Sequence, residues 1–142
     1  GCSSLQLTEE AVANQNVAGV SISSKSTATQ AVLANAVVYF EYDKFNLTAK
    51  SIQALKGVSD LMGRNSKITL SIEGHADERG TREYNLALGE RRANAAKDYL
   101  MTYGISGNRL SVISYGKERP VNSGSNPLAW SQNRRSVTVK VN

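Results

Sequence analysis

The chain has 142 residues, with 17 Lys and Arg against 12 Asp and Glu, a formal charge of +5 and 40% hydrophobic residues. That suits one globular core, and the apolar runs fall far short of the roughly 18 residues that a membrane-spanning helix needs. A single Cys excludes an intrachain disulfide and any multi-cysteine metal site.

Residues 1–36 contain none of the aromatic residues and are rich in Ser, Thr, Asn, Gln and Ala. With so little to bury, the segment cannot offset its ordering entropy and is expected to act as a flexible tether, leaving 37–142 as the folded domain. Its only charges are Glu9, Glu10 and Lys25, so 16 of the 17 basic and 10 of the 12 acidic residues fall in the folded part. Such a surface favours anionic partners without selecting among them.

The β-branched and aromatic run at 37–42 predicts a strand, followed by a loop at 43–46. Thr48 can cap a helix whose apolar positions Ile52, Leu55, Val58 and Met62 recur at helical spacing, with Gly63 as its stop. Residues 67–73 alternate strictly, with Ile68, Leu70 and Ile72 on one face, as in a half-buried strand. A long helix is expected over about 82–103, with Tyr84, Leu88, Ala95, Tyr99 and Tyr103 as its stripe and Gly104-Ile105 as its stop. Residues 110–115 read as a third strand, and Val137, Val139 and Val141 mark a fourth. Between them, Asn126-Pro127 starts a short helix to about residue 132. The order β-α-β-α-β-(α)-β predicts an α+β domain: one mixed sheet, its first three strands parallel, with both long helices on its apolar face.

The densest polar cluster is the loop at 74–80, where Gly74 and Gly80 bracket His75, Asp77, Glu78 and Arg79. On the helix that follows, Asn85, Gly89, Arg92 and Ala96 share one face. A helical Gly costs about 1 kcal/mol relative to Ala, so Gly89 implies a close approach, either of the sheet or of a ligand. Asp77 and Arg92 could flank a small zwitterion, carboxylate to ammonium at one end and guanidinium to carboxylate at the other, or they could pair with each other.

Enzymatic chemistry is not expected. His75 is the only His, the folded part has no Cys, and no Gly-x-Ser-x-Gly elbow is present. His75 and Asp77 on one loop make a poor metal-ligand set, so no metal or cofactor is expected either. Arg91-Arg92 and Arg134-Arg135 could touch phosphates, but no nucleic-acid-binding motif accompanies them and nucleic acid is not an expected partner.

The run GHADERGTREYNLALGERRANAAKDYL at 74–100 resembles the signature of OmpA-like C-terminal domains, and most closely that of the family's peptidoglycan-associated lipoproteins in Gram-negative bacteria. The resemblance continues through VYFEYDKFNL at 38–47, SYGKERP at 114–120 and WSQNRRSV at 130–137, and so spans about 37–142. It implies an OmpA-like α+β fold and non-catalytic binding of peptidoglycan through the meso-diaminopimelate of the stem peptide, tethering the outer membrane to the wall. Position by position, Asp77 matches the acid that takes the diaminopimelate ammonium and Arg92 the Arg that takes its carboxylate. Asn85 and Leu88 match helix positions lining the site, and Tyr42 and Asp43 its opposite wall, with Tyr42 standing where Phe is usual. Arg134 and Arg135 match a closing pair expected to brace helix and sheet. On this basis Asp77→Ala or Arg92→Ala is expected to abolish sedimentation with insoluble peptidoglycan while leaving the fold intact.

Gly1-Cys2 resembles what remains after cleavage of a lipoprotein signal, which implies lipidation of Cys2, anchoring in the outer membrane and a domain facing the periplasm. TolB, as part of the Tol-Pal system, is a further partner that the resemblance implies. The alternatives are the wall-binding domain of a porin or flagellar stator, and a cell-wall hydrolase.

Overall fold

A computed structural model of the chain describes residues 29–141. Cys2 and most of the expected tether lie outside the described residues. One compact unit comprises Val32–Asn142. Within it residues 32–34 are helical, and Leu33 and Ala36 belong to the hydrophobic core. The folded part therefore begins before residue 37, because Leu33 and Ala36, three residues apart, supply an apolar face that the segment's average composition conceals.

The elements are β1 (Val38–Tyr39), α1 (Ala49–Arg64), β2 (Leu70–His75), α2 (Arg82–Thr102), a 3-10 turn (Gly107–Arg109), β3 (Leu110–Gly116), α3 (Pro127–Asn133) and β4 (Arg135–Lys140). The strand order is β1-β4-β2-β3, with β2 and β3 parallel and β4 antiparallel to both its neighbours. β1, β2 and β3 thus share one direction, as helical crossovers require, and β4 inserts between the first two. Both long helices contribute to a single core: Leu55, Val58, Leu61 and Met62 from α1 and Ala93, Ala96 and Leu100 from α2 pack with Val38, Leu70, Ile72 and Leu110 of the sheet.

Local signals fix most helix ends. The Thr48 Oγ1 accepts from the Ser51 N–H at 3.2 Å, and the Asn126 Oδ1 accepts from the Ala129 N–H at 2.8 Å ahead of Pro127. At the end of α2 the Gly104 N–H donates to the Met101 carbonyl and the Ile105 N–H to the Leu100 carbonyl, with Gly104 at φ +93° and Ile105 buried. This is a Schellman stop with its hydrophobic contact in place. α1 passes through Gly63 and closes at Asn65, whose side-chain amide donates to the Leu61 carbonyl at 2.9 Å and satisfies a group that the helix end would otherwise orphan.

Two further expectations change. β1 is two residues long, because beyond it Arg134 takes over the pairing: the Phe40 N–H donates to the Arg134 carbonyl and Arg134 Nε donates back to the Phe40 carbonyl. The chain then turns at 41–44, where the Lys44 N–H donates to the Glu41 carbonyl and Asp43 has φ +57°. The inward face of α2 is also not the tyrosine stripe. Asn85, Leu88, Gly89, Arg92, Ala93, Ala96 and Leu100 are buried, whereas Tyr84 and Tyr103 are about half exposed. The small residues let the helix lie close to the sheet; of the expected stripe Leu88 is buried and Tyr99 packs partly against the core, while Tyr84 and Tyr103 stay at the surface.

Candidate functional site

The close approach of α2 to the sheet builds the site. A Cβ on Gly74 would lie 1.7 Å from the Gly89 carbonyl oxygen, and one on Gly89 would lie 2.3 Å from Ser114 Oγ. Gly89 therefore meets its own sheet, not a ligand. This contact sets the first turns of α2 against the C-terminal end of β2, so that the 76–81 loop and the helix face Asn85–Arg92 converge with the 41–44 turn.

They form a small open cleft, lined by Tyr42, Asp43, Asp77, Arg79, Gly80, Tyr84, Asn85, Leu88 and Arg92. All six residues expected at a binding site (Asp77, Arg92, Asn85, Leu88, Tyr42 and Asp43) are brought together here. Asn85 is buried, and its side-chain amide donates to the Arg79 carbonyl at 2.9 Å, pinning the loop to the helix. Thr81 caps α2 by accepting from the Tyr84 N–H. The Tyr84 hydroxyl donates to the Asp43 carboxylate, joining the two walls of the cleft, and this bond raises its pKa above the ordinary phenol value.

Asp77 and Arg92 do not pair with each other. Arg92 is fully buried, and its guanidinium donates to three carbonyls: Lys44 at 2.8 Å from Nε, His75 at 2.9 Å, and Glu41 at 3.1 Å. A guanidinium has five N–H donors, so one on each terminal nitrogen is left over. No ion pair among the described residues involves Arg92. Burial, with repulsion from Arg134 behind it, pushes its pKa down to about 10, which still leaves it charged at neutral pH. Asp77 and Asp43 attract it from a distance but do not contact it, and an anion entering the cleft to reach the guanidinium would add direct compensation for its burial.

Asp77 is 4% exposed and is held by Arg79. Burial alone would raise its carboxyl, but the hydrogen bonds and charge of Arg79, with help from Arg134, hold it below the ordinary carboxylate range. Arg79, which the sequence marks only as part of the polar loop, and Tyr84, which its periodicity puts in the core stripe, both line the cleft. The Arg79 guanidinium lies 4.0 Å from the ring centre of Tyr42 and 4.1 Å from that of Trp130, and Trp130 Nε1 donates to Glu78 Oε2 at 2.7 Å. The spacing Asp77-x-Arg79 is a local signal for the ion pair between them, whereas the rings come from distant parts of the chain. Arg134 reaches the cleft through Asp77, while Arg135 is buried and braces the Asn133 and Arg119 carbonyls.

The ring of His75 lies apart from the cleft, stacked on Tyr115 at 5.6 Å, with Glu73 3.8 Å from Nε2 and, among the described residues, no hydrogen-bond partner on either nitrogen. Burial, reinforced by Arg135 and Arg119, pushes its pKa down from 6.5 to about 4. Between those values the unfolded chain binds the extra proton, so this contribution to stability is complete above pH 6.5 and is lost as pH falls towards 4. The loss approaches about 3 kcal/mol, and urea midpoints compared at about pH 7 and about pH 4.5 should fall less for His75→Phe than for the parent. Equal pH dependence in the two would contradict this assignment.

A sequence model of the OmpA family matches residues 39–134. The chain is 49% identical over 102 residues to a peptidoglycan-associated lipoprotein of Rhizobium meliloti, covering 72% of this chain and 58% of that protein. It is 52% identical over 98 residues to the protein of that name from Pseudomonas aeruginosa, covering 68% and 57% respectively. The matched part thus spans less than two thirds of these relatives' length. Among solved structures, the peptidoglycan-associated lipoprotein from Burkholderia pseudomallei superposes with a TM-score of 0.75 at 35% identity, covering 78% of this chain and 93% of that one. With a family model matched over well over half its length and relatives near 50% identity, the chain belongs to the OmpA family.

Proposed function

We propose that the domain binds peptidoglycan without catalysis, recognising the diaminopimelate of the stem peptide, and that the whole protein tethers the outer membrane to the wall as part of the Tol-Pal system. The observation that carries this reading is a buried Arg92, with no direct ion-pair partner among the described residues, beside a buried Asp77 in one cleft. In it the ligand's carboxylate takes the two free N–H groups of Arg92, and its ammonium takes Asp77. Leu88 supplies an apolar floor and Asn85 holds the loop in place, while Tyr42 and Asp43 form the far wall. The names and similarity of the relatives support the choice of polymer. Lipidation of Cys2, a periplasm-facing location and a contact with TolB belong to the same proposal. The separation of the His75 ring from the cleft, stacked on Tyr115, supports binding over hydrolysis.

The test is titration with a diaminopimelate-containing stem peptide and its Lys-containing analogue, together with sedimentation on insoluble peptidoglycan. Asp77→Asn keeps the side-chain shape and removes the charge, and should weaken binding roughly tenfold to a hundredfold, the range for a charge-assisted contact. Equal affinity for the two peptides would contradict recognition of the second carboxylate, and full sedimentation of a folded Asp77→Asn variant would contradict the role of Asp77.

A further inference from the structure

Asp77 already has its acceptor positions filled. Oδ1 accepts the Arg79 backbone N–H at 3.0 Å and Arg79 Nε at 3.2 Å, and Oδ2 accepts an Arg79 terminal nitrogen at 2.8 Å and an Arg134 terminal nitrogen at 3.4 Å. A carboxylate offers about four lone-pair sites, so an incoming ammonium finds none vacant. One of the present donors must leave.

The three donor groups are not equally free to do so. The Arg79 backbone belongs to the loop that Asn85 pins, and Arg134 is also bonded to the Phe40 carbonyl, with its side chain only 17% exposed. The Arg79 side chain is 33% exposed, and among the described residues its guanidinium contacts Asp77 and the rings of Tyr42 and Trp130. Both ring centres lie within about 4 Å of it, so the arm can leave the carboxylate and keep these contacts at the cleft mouth. Cation–ring contacts need no particular rotation of the guanidinium in its own plane.

We propose that the Arg79 side chain is a resident competitor for the cation position on Asp77, and that a ligand's ammonium binds by displacing it. This rests on the peptidoglycan reading above and adds a selection rule to it. A lone ammonium exchanges one cation for another on Asp77 and gains little. A group carrying ammonium and carboxylate together makes the same exchange and also compensates Arg92, so the cleft rejects simple amines and accepts the zwitterion.

The test uses Arg79→Met, which keeps an unbranched stem beside Tyr42 and Trp130 and removes the charge. Titrated with the tripeptide L-Ala–D-Glu–meso-diaminopimelate and followed by chemical shifts, this variant should bind roughly fivefold more tightly than the parent, as expected for release of a partly exposed ion pair. Arg79→Lys retains a cation and should fall between the two. In Arg79→Ala, added methylguanidinium should refill the position and weaken peptide binding competitively, with no such effect on the parent at the same concentration. Parent binding with no gain in Arg79→Met at an unchanged urea midpoint would overturn the inference alone, as would indifference of Arg79→Ala to methylguanidinium. Failure of both parent and Arg79→Met to bind the tripeptide would remove the peptidoglycan reading and this inference with it.

Discussion

Gly74→Ala is expected to cost more than about 3 kcal/mol, at or beyond the upper end for overpacking a core, and to abolish folding in a marginal background. Its Cβ would stand 1.7 Å from the Gly89 carbonyl oxygen and 2.4 Å from the Gly89 carbonyl carbon, so the obstacle is helix backbone that cannot rotate aside. Relief would require α2 to lift from β2, taking Asn85 and Arg92 away from the carbonyls they hold. The reciprocal change, Gly89→Ala, is a sharper comparison. Helix propensity alone would make it stabilising by about 1 kcal/mol. Its nearest obstacle is the Ser114 hydroxyl at 2.3 Å, with the Gly74 carbonyl oxygen behind it at 2.9 Å. Gly89→Ala should therefore destabilise by about 1–2 kcal/mol, and Ser114→Gly in the same chain should recover part of that loss. No second-site side-chain change should recover Gly74→Ala. Urea midpoints of the three variants decide it, and a Gly74→Ala midpoint equal to the parent's would refute the close approach of helix and sheet.

The same contact shows why some of the architecture is legible in the sequence and some is not. Thr48, Asn126 and Gly104 act on groups within a few residues of themselves, so the helix ends they make can be read one at a time. The direction of β1, β2 and β3 follows from the intervening helices. Which side of α2 turns inward depends instead on what stands opposite it. Tyr84, Leu88, Ala95, Tyr99 and Tyr103 form a plausible stripe in isolation. The facing surface, however, is the backbone of Gly74 and Gly116, against which only Gly89 and its small neighbours fit; a Cβ at Gly116 would lie 2.9 Å from the Leu86 backbone nitrogen. The cleft follows the same division. Asp77 and Arg92 are legible as complementary charges at a suitable separation. The partners that occupy them are backbone carbonyls from the 41–44 turn and β2, and an Arg79 whose place depends on Tyr42 and Trp130. Long-range placement of that kind leaves no local pattern.

Arg92→Ala is the other large expected effect, and it changes how the binding test must be read. From the sequence, Arg92 is a ligand residue whose loss leaves the fold intact. In the structure its guanidinium fastens the 41–44 turn, through Glu41 and Lys44, to the end of β2 at the His75 carbonyl. Truncation would leave these carbonyls without their donor and open a cavity at one of the largest fully buried side chains. Hydrogen bonds to a charged group contribute roughly 1.5–3 kcal/mol each, but the desolvation of an unpaired buried cation offsets much of the sum. A net destabilisation of about 2–4 kcal/mol is expected, read as a lower urea midpoint. The conservative Arg92→Lys should recover only part of it, since one ammonium cannot span three carbonyls from separate segments. The turn that carries Tyr42 and Asp43 would loosen with it, so loss of binding in Arg92→Ala confounds a missing contact with a displaced wall. Asp77→Asn retains its shape and keeps the backbone bond from Arg79 but loses one carboxylate oxygen as acceptor for Arg79 and Arg134, so its midpoint should fall by about 1–2 kcal/mol, less than that of Arg92→Ala. Loss of peptidoglycan sedimentation in Asp77→Asn at a modestly lowered midpoint, with the variant still folded, beside loss in Arg92→Ala at a lower one, is the expected pair of results. An unchanged midpoint for Arg92→Ala would mean that the three carbonyls find water as readily as guanidinium, and would return Arg92 to a role in ligand binding alone.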